Sequence, residues 1–245
     1  MSRPLVVAYG IGVDSTALLV GLQQERITPD LILAADTGDE KPETYAYLPI
    51  IGTWLKRVGF PPVTVVKNPR PRSGDQSLSD SCLRLGTLPA LAYGKHQCSL
   101  VWKVEPQIRF LKRWPPALEA WSEGDAVTVF IGYDASPRDI CRRFKAEGKS
   151  MPGCNNAFPL IAWGWDRARC VREITRAGLP VPVKSACFHC PASKPAEIFV
   201  LRERSPHLFA KAVLMERTAR ARGLKRIAGL GRRFSWEALA ASEAA

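Results

Sequence analysis

Residues Leu5–Leu22 read LVVAYGIGVDSTALLVGL, and this stretch decides the fold. Its first part, Leu5–Tyr9, is a continuous apolar run that ends at a glycine, as is typical of a buried strand in a parallel sheet. The residues Ser15–Gln24 carry apolar side chains on one helical face, with Asp14 or Ser15 at the N-terminal cap. The stretch therefore predicts a strand, a short turn and a helix.

The alternation of strand and helix continues after this stretch. Leu31–Ala35 and Pro62–Val66 are apolar runs of strand length, and Pro42–Val58 between them predicts a helix with proline in its first turn. Ala126–Gly132 is rich in β-branched residues and predicts a further strand. This order is typical of a Rossmann-like α/β fold, a parallel sheet of about five strands with helices on both faces.

The remaining segments predict helices and one long loop. The loop is Asn68–Ser81, rich in proline, arginine and serine, which is either a lid or a segment without fixed structure. The predicted helices are Leu88–Tyr93, Glu105–Arg113, Pro116–Glu123, Asp166–Ala177 and Ala196–Gly223, with a frayed helix in the last dozen residues. The simplest division is one α/β domain at 1–194 and a basic helical C-terminal extension at 195–245.

Composition indicates an ordinary globular protein. The 245 residues are 46% hydrophobic and 24% charged, and no apolar stretch approaches the roughly 18 residues of a membrane span. The N-terminus lacks the apolar run and cleavage site of a signal peptide, so we expect a cytoplasmic protein without membrane contact. In that reducing compartment the seven cysteines are expected to bind metal, take part in catalysis or lie buried, rather than form disulfides.

The net charge of +12 predicts an anionic partner without identifying it. Much of the excess follows Arg202, and it indicates either a solvated helix face or a nucleic-acid surface. The basic residues concerned are Arg202, Arg204, Lys211, Arg217, Arg220, Arg222, Lys225, Arg226, Arg232 and Arg233.

The turn between the first strand and helix is a candidate phosphate site. It reads Gly10-Ile11-Gly12-Val13-Asp14-Ser15, and the free N–H groups and positive dipole end of a helix attract phosphate. The alternative is a capped turn without a ligand. A Walker A loop is excluded because no Gly-Lys-Ser/Thr ending follows. A dinucleotide fingerprint is only partial: Gly10, Gly12 and Asp36 match it, but Ser15 replaces its third glycine.

The turn resembles the Ser-Gly-Gly-x-Asp-Ser loop of the adenine nucleotide α-hydrolase, or PP-loop, superfamily. Asp14 and Ser15 are retained, while Gly10 and Ile11 replace the serine and the first glycine. Later segments resemble the PAPS reductase family in the same order along the chain. These segments are Asp36-Thr37-Gly38 with Pro42-Glu43-Thr44-Tyr45, Cys98 with Lys103-Val104-x-Pro106 and Arg109, Ile131-Gly132-Tyr133 with Arg138, Pro159-Leu160-Ile161, and Cys187-Phe188-His189-Cys190-Pro191.

The resemblance implies an adenine nucleotide at the carboxyl ends of the strands. Lys103 and Arg138 would neutralise negative charge, and Asp14, Ser15 and Lys103 would be the catalytic residues. The implied nucleotide-binding residues are Ala8, Tyr9, Gly10, Ile11, Gly12, Val13, Asp14, Ser15, Asp36, Thr37, Gly38, Lys103, Gly132 and Arg138.

Three cysteines match positions that hold a metal in some relatives. Cys98, Cys187 and Cys190 would bind zinc or an iron–sulfur cluster, with Cys82, Cys154 or His189 completing the site. Ser99 stands where those relatives have a further cysteine. Two alternatives stay open, buried structural thiols and a redox pair.

No cysteine follows Cys190, where PAPS reductases carry their catalytic cysteine, so PAPS reduction by the family mechanism is not expected. The resemblance instead implies an ATP pyrophosphatase-type enzyme that uses Mg²⁺ and activates a substrate by adenylylation, for sulfur transfer or nucleic-acid modification. Similar proteins occur in phage, DNA-phosphorothioation and CRISPR-associated settings. Two alternatives remain: an enzyme that uses PAPS or APS with an external thiol, and an inactive accessory protein that senses nucleotides or binds nucleic acid. A homodimer and the identity of the second substrate stay open.

Overall fold

A five-stranded sheet organises the part of the chain that the computed structural model describes, residues 3–68, 73–147 and 150–242. The strands are β1 Leu5–Ala8, β2 Leu31–Asp36, β3 Val63–Lys67, β4 Val127–Ile131 and β5 Cys154–Ala157. Their order is β3-β2-β1-β4-β5. β1 pairs in parallel with β2 and β4, and β4 pairs in parallel with β5. The Rossmann-like α/β fold expected from the sequence is confirmed.

Helices make up most of the remaining described chain. They are α1 Val13–Gln24, α2 Pro42–Val58, α3 Leu78–Leu85, α4 Gln97–Ser99, α5 Glu105–Leu111, α6 Pro115–Ser122, α7 Pro137–Glu147, α8 Pro159–Ala162, α9 Arg167–Arg176, α10 Pro195–Arg204, α11 Pro206–Ala221 and α12 Trp236–Ser242. A 3₁₀ turn at Ala90–Tyr93 precedes α4, and a π-helical turn at Leu100–Val104 joins α4 to α5. Within the described ranges, no helix has the length and apolar character that a membrane crossing requires.

Apolar side chains project from both faces of the sheet because successive residues of a strand point to opposite sides. Val7 and Ile32 belong to the core that also contains residues of α1, α2 and α9. Their neighbours Val6 and Leu33 belong to a separate core with residues of α5 and α6. Helices therefore cover both faces, and the loops at the carboxyl ends of the strands are left to form a site.

Three sequence expectations differ from the structure. The predicted helix Ala196–Gly223 is two helices, because Pro206 has no N–H to continue α10 and instead starts α11. The strand β5 was not predicted, since Cys-Asn-Asn-Ala is short and polar, as an edge strand can be. The predicted loop Asn68–Ser81 contains the start of α3, where Ser77 caps the helix by accepting from the Asp80 N–H; residues 69–72 lie outside the described residues.

The chain divides into two units. The sheet unit comprises Met1–Ala35, Pro42–Val66 and Pro106–Ser185, and the helical unit comprises Asp36–Lys41, Lys67–Glu105 and Ala186–Ala245. The helical unit has its own core, in which residues of α10, α11 and α12 pack with residues between 78 and 102. The domain division at 194/195 stays a prediction; by its contacts, the C-terminal segment shares a core with earlier parts of the chain.

Candidate functional site

The turn after β1 contains one non-glycine residue in a left-handed conformation. Ile11 has φ 55°, in the left-handed region where a β-branched residue is strained. This is the position at which the superfamily motif has a glycine. Ile11 is only 6% exposed and packs in the core on the α1 side of the sheet. Burying an isoleucine contributes about 1.5–3 kcal/mol, which offsets a backbone strain of about 1–3 kcal/mol. The glycine can therefore be replaced without loss of the turn.

The first turn of α1 follows directly. The Thr16 N–H donates to the Gly12 carbonyl at 3.0 Å, which makes this the first helical bond. The earlier N–H groups of the helix have no acceptor within it, as at every helix start. The Ser15 hydroxyl is 3.2 Å from both the N and the carbonyl O of Gly12, so its proton is directed at the backbone. Tyr9 is buried, its hydroxyl pairs with Thr16 and its N–H donates to the Leu33 carbonyl, so neither group is available to a ligand.

Gly132 lies against this first turn. A Cβ added to Gly132 would stand 2.8 Å from both N and Cα of Ser15. The end of β4 and the start of α1 are therefore in backbone contact, which any side chain would prevent. β1 and β4 are the neighbours at which the strand order changes direction, the position where open α/β sheets bind ligands.

Three carboxylates gather at this switch point. Asp14 comes from the first turn of α1, Asp134 follows β4, and Asp139 lies in the first turn of α7. One oxygen of each lies within 4.8 Å of the others. Asp134 and Asp139 are buried. Carboxylate oxygens are the ligands that Mg²⁺ takes, commonly together with phosphate oxygens, so the residues present fit this cation.

Two arginines balance the carboxylates. Arg167, at the start of α9, lies 2.9 Å from each oxygen of Asp14 and 3.4 Å from Asp134. Arg142 donates to Asp139 at 2.8 Å, and its guanidinium lies over the Tyr133 ring, 4.2 Å from the centroid. The motif resemblance implied that Arg138 neutralises charge on the nucleotide; Arg138 is exposed and forms no ion pair with a described residue. Its contact with a nucleotide stays a prediction.

The environment of Asp14 raises its pKa from the ordinary 3.8 to about 6. Burial is the largest cause, Asp134 and Asp139 add to it, and Arg167 and Arg142 oppose it. Ionising the Asp14 carboxylate in the folded protein therefore costs free energy, and a bound cation would remove that cost by stabilising the negative charge.

We expect the variant Asp14→Asn to be more stable than the wild type above pH 7. Because the native pKa of Asp14 lies above its unfolded value, its contribution to stability is greatest below about pH 4 and is lost as the pH rises through about 6. Two pKa units correspond to about 2–3 kcal/mol. Thermal unfolding of both proteins from pH 4 to 8 should show a difference that grows with pH; a pH-independent difference would contradict the assignment.

The helical unit contains the second group of predicted site residues. Thr37 Oγ1 lies 3.2 Å from Cys187 Sγ, and Lys103 Nζ is 2.8 Å from the buried Glu40. Burial acts to lower the pKa of Lys103, but Glu40 and the thiols of Cys187 and Cys190 outweigh it and raise that pKa. Lys103 is therefore a cation held between one carboxylate and a pair of cysteines.

Asp36 and Gly38, both predicted to bind nucleotide, have local partners in this unit. Asp36 accepts from the Gly38 N–H at 2.8 Å and pairs with Lys67 at 2.9 Å. Gly38 has φ 77°, and a Cβ there would meet the Gln76 carbonyl at 2.7 Å, so only glycine fits. These contacts define the loop, and its nucleotide contacts stay a prediction.

Asp39 and His189 form a buried pair that sequence reasoning did not identify. Asp39 accepts from His189 Nε2 at 3.0 Å and from the N–H and hydroxyl of Ser79 at 2.6 Å each. Burial opposes ionisation, but the His189 and Ser79 bonds prevail and lower the pKa of Asp39. His189 Nδ1 is buried and has no hydrogen-bond partner among the described residues. A histidine held by a carboxylate, with its second nitrogen free, is the arrangement of many metal ligands.

The predicted cysteine ligands Cys98, Cys187 and Cys190 all lie in the helical unit. Cys82 and Cys98 are electrostatic neighbours, and burial raises the pKa of Cys82 to about 12. Burial also raises the pKa of Cys187. Within the described chain, only the three aspartates place three ligand atoms within 4.8 Å of one another. Binding of zinc or a cluster by Cys98, Cys187 and Cys190 stays a prediction.

Some residues of the carboxylate cluster were not predicted from the sequence, and only some of those carry a recognisable sequence signal. Asp134 and Asp139 follow a predicted strand at its carboxyl end, where polar residues commonly form sites. Arg167 lies 153 positions from Asp14 in sequence and carries no motif. Only the folded chain shows that they are paired.

Comparisons with known proteins give a likeness in structure alone. No protein-family model matches the chain, and no curated protein matches it. Among solved structures that match is the U34-tRNA thiolase NcsA from Methanococcus maripaludis with its [4Fe-4S] cluster. The sequence identity is 12% and the TM-score 0.43, over 98% of this chain and 81% of that chain. At that identity and score the likeness says nothing about function.

Proposed function

We propose that the sheet unit binds ATP with Mg²⁺ and transfers its adenylyl group to an oxygen of a second substrate. The observation that carries the proposal is the juxtaposition of a helix start with three carboxylates at the switch point of the sheet. A helix start favours phosphate, whereas three carboxylates repel it. Both features are useful together when a divalent cation lies between them.

The residues divide the work of holding the triphosphate. Backbone N–H groups at the start of α1 would bind phosphate oxygens. Asp14, Asp134 and Asp139 would hold Mg²⁺, which supplies a Lewis acid that neutralises the pyrophosphate leaving group. Arg142 and Arg167 would shift from carboxylate to phosphate, since a guanidinium binds either one with two parallel hydrogen bonds.

The reaction is a displacement at the α-phosphorus. The substrate oxygen forms a bond to the α-phosphorus, the bond from that phosphorus to the oxygen bridging to the β-phosphate breaks, and pyrophosphate leaves with the electron pair. The proton of the attacking hydroxyl leaves to solvent. Fixed N–H groups and arginines stabilise the charge that develops on the leaving group.

Three further roles are proposed from the motif resemblance. Lys103 would add positive charge, and Asp36–Gly38 would contact the adenosine. A persulfide formed on Cys187 or Cys190 by an external sulfur donor would attack the adenylylated carbon, and AMP would leave; the other cysteine would then release the sulfur by forming a disulfide, which an external thiol reduces. In the helical unit, the Lys103–Glu40 ion pair and the contact between Thr37 and Cys187 support these proposals.

We expect calorimetric titration with α,β-methylene-ATP to show binding that tightens at least tenfold when Mg²⁺ is added. Asp14→Asn should lose most of that Mg²⁺ dependence, because it removes one carboxylate from the cation. Pyrophosphate release from ATP, with bulk RNA and DNA as oxygen-bearing acceptors, then tests the transfer. A competing titration with PAPS distinguishes the alternative ligand.

Asp125→Asn is the matched control. Asp125 is an acidic residue of the same unit that pairs with Arg3. It precedes β4 and therefore lies at the amino ends of the strands, away from the carboxylate cluster. The Asp125→Asn variant should bind nucleotide like the wild type. Equal Mg²⁺ dependence in Asp14→Asn and the wild type would refute the cation site, and tighter binding of PAPS than ATP would refute the choice of nucleotide.

A further inference from the structure

A basic loop connects α11 to α12 in the helical unit. We call residues Arg222–Arg233 the arginine loop; its sequence is RGLKRIAGLGRR, which contains five basic residues and no acidic one. All five basic side chains are exposed. Arg226 and Arg232 have φ 73° and 64°, a backbone form that non-glycine residues adopt only when the surrounding structure holds them there.

A buried carboxylate fixes the end of this loop. Glu216 of α11 is 0% exposed and accepts from the N–H groups of Leu230, Trp236 and Glu237 at 2.7, 2.9 and 3.2 Å. Gly229 is required beside it, since a Cβ there would meet a Glu216 carboxylate oxygen. These contacts give the end of the arginine loop a defined backbone conformation within the helical unit.

The free positive charge of the C-terminal segment is concentrated in this loop. On α11, Arg217 and Arg220 pair with Glu237, and Lys211 pairs with Asp80. Four side chains of the arginine loop form no ion pair with any residue in the part of the chain that the structure describes: Arg222, Lys225, Arg226 and Arg233. The fifth, Arg232, donates to the Leu91 carbonyl and keeps its charge.

We propose that the arginine loop binds the phosphodiester backbone of a nucleic acid. Arginine is the residue best suited to phosphate, because its planar guanidinium forms two parallel hydrogen bonds to phosphate oxygens. A membrane surface is less favoured, since Leu224 and Ile227 of the loop and the adjacent Phe234 pack against the core of the helical unit. The net charge of +12 adds long-range attraction for a polyanion.

This inference is independent of the proposed ATP chemistry. The arginine loop lies in the helical unit and the carboxylate cluster in the sheet unit, so each can be removed separately. A loop variant that loses nucleic-acid binding but still binds nucleotide normally would affect this inference only, and not the proposed ATP site.

The test replaces Arg222, Lys225, Arg226 and Arg233 with glutamine in the full chain. Binding to a single-stranded RNA, a single-stranded DNA and a double-stranded DNA is measured by fluorescence anisotropy between 50 and 200 mM salt. Wild-type affinity should fall steeply with salt, and the variant should lose about 3 units of the slope of log K against log salt. Its affinity at the lowest salt should fall by more than about tenfold.

A matched variant removes the same charge elsewhere. Lys56, Lys112, Arg113 and Arg172 are exposed residues of the sheet unit without ion pairs to described residues, and their replacement with glutamine should leave the salt slope within about one unit of the wild type. Because the stem of Arg222 packs on Gly86, a triple variant that keeps Arg222 guards against misfolding, with thermal unfolding as the check.

Several outcomes would overturn the proposal. They are absence of wild-type binding to all three probes, equal losses in the loop and control variants, and binding to phosphatidylserine vesicles without binding to any nucleic acid. Preference for one of the three probes supports the proposal and identifies the source of the phosphodiester. Equal binding to all three supports recognition of the backbone alone.

Discussion

Replacing Gly132 with valine is expected to lower the free energy of unfolding by more than about 3 kcal/mol and to weaken ATP binding at least tenfold. The added Cβ would meet the backbone N and Cα of Ser15 at 2.8 Å and the carbonyl carbon of Asp14 at 2.9 Å. Backbone atoms of a helix cannot rotate away as a flexible side chain can, so α1 must move. Because α1 carries the N–H groups and Asp14, the proposed phosphate site would move with it.

Gly52→Ala is the control for this prediction. Gly52 lies inside α2, where an added Cβ meets nothing within 4 Å, so alanine should stabilise the helix by about 0.5–1 kcal/mol. Urea unfolding and titration with α,β-methylene-ATP measure both effects. Gly132→Val with wild-type stability and affinity would mean that β4 does not contact α1 as described.

The sequence predicted the sheet unit best where pattern and chemistry agree. Leu5–Leu22 gives its strand, turn and helix within two residues of the observed bounds, and Pro42–Val58 matches α2 at both ends. Apolar periodicity and proline placement are local properties, so they can be read without knowing the fold. β5 has neither, and its pairing with β4 depends on the rest of the sheet.

Only the residues of the candidate site that lie in a recognisable sequence motif could be predicted. The turn at residues 10–15 carries its own signal, but the left-handed form of Ile11 depends on the core that buries its side chain. Arg167 reaches Asp14 through the packing of α9 on α1. Likewise, the basic C-terminal residues look alike in sequence, and only their partners separate the neutralised Arg217 and Arg220 from the free charges of the arginine loop.

Replacing Glu216 with alanine is expected to destabilise the helical unit by about 4 kcal/mol or more. The carboxylate accepts three backbone N–H groups in a buried position. The Leu230 and Trp236 N–H groups are buried, and each buried donor that loses its acceptor costs about 1–3 kcal/mol. The part-buried Glu237 N–H adds a smaller loss. The loop end at Leu230 and the start of α12 at Trp236 should detach together. Urea unfolding measures the loss, and limited trypsin digestion should cut the arginine loop faster.

Two further variants separate lost hydrogen bonds from lost charge. Glu216→Gln keeps an oxygen for the Leu230 and Trp236 N–H groups but turns an N–H donor toward Glu237, so about half of the alanine effect should return. Glu203→Ala removes an exposed glutamate of α10 without an ion pair to a described residue and should change stability by no more than about 0.5 kcal/mol. If Glu216→Ala unfolds like Glu203→Ala, the carboxylate does not hold the loop. In that case contacts other than those of Glu216 hold the left-handed residues of the arginine loop.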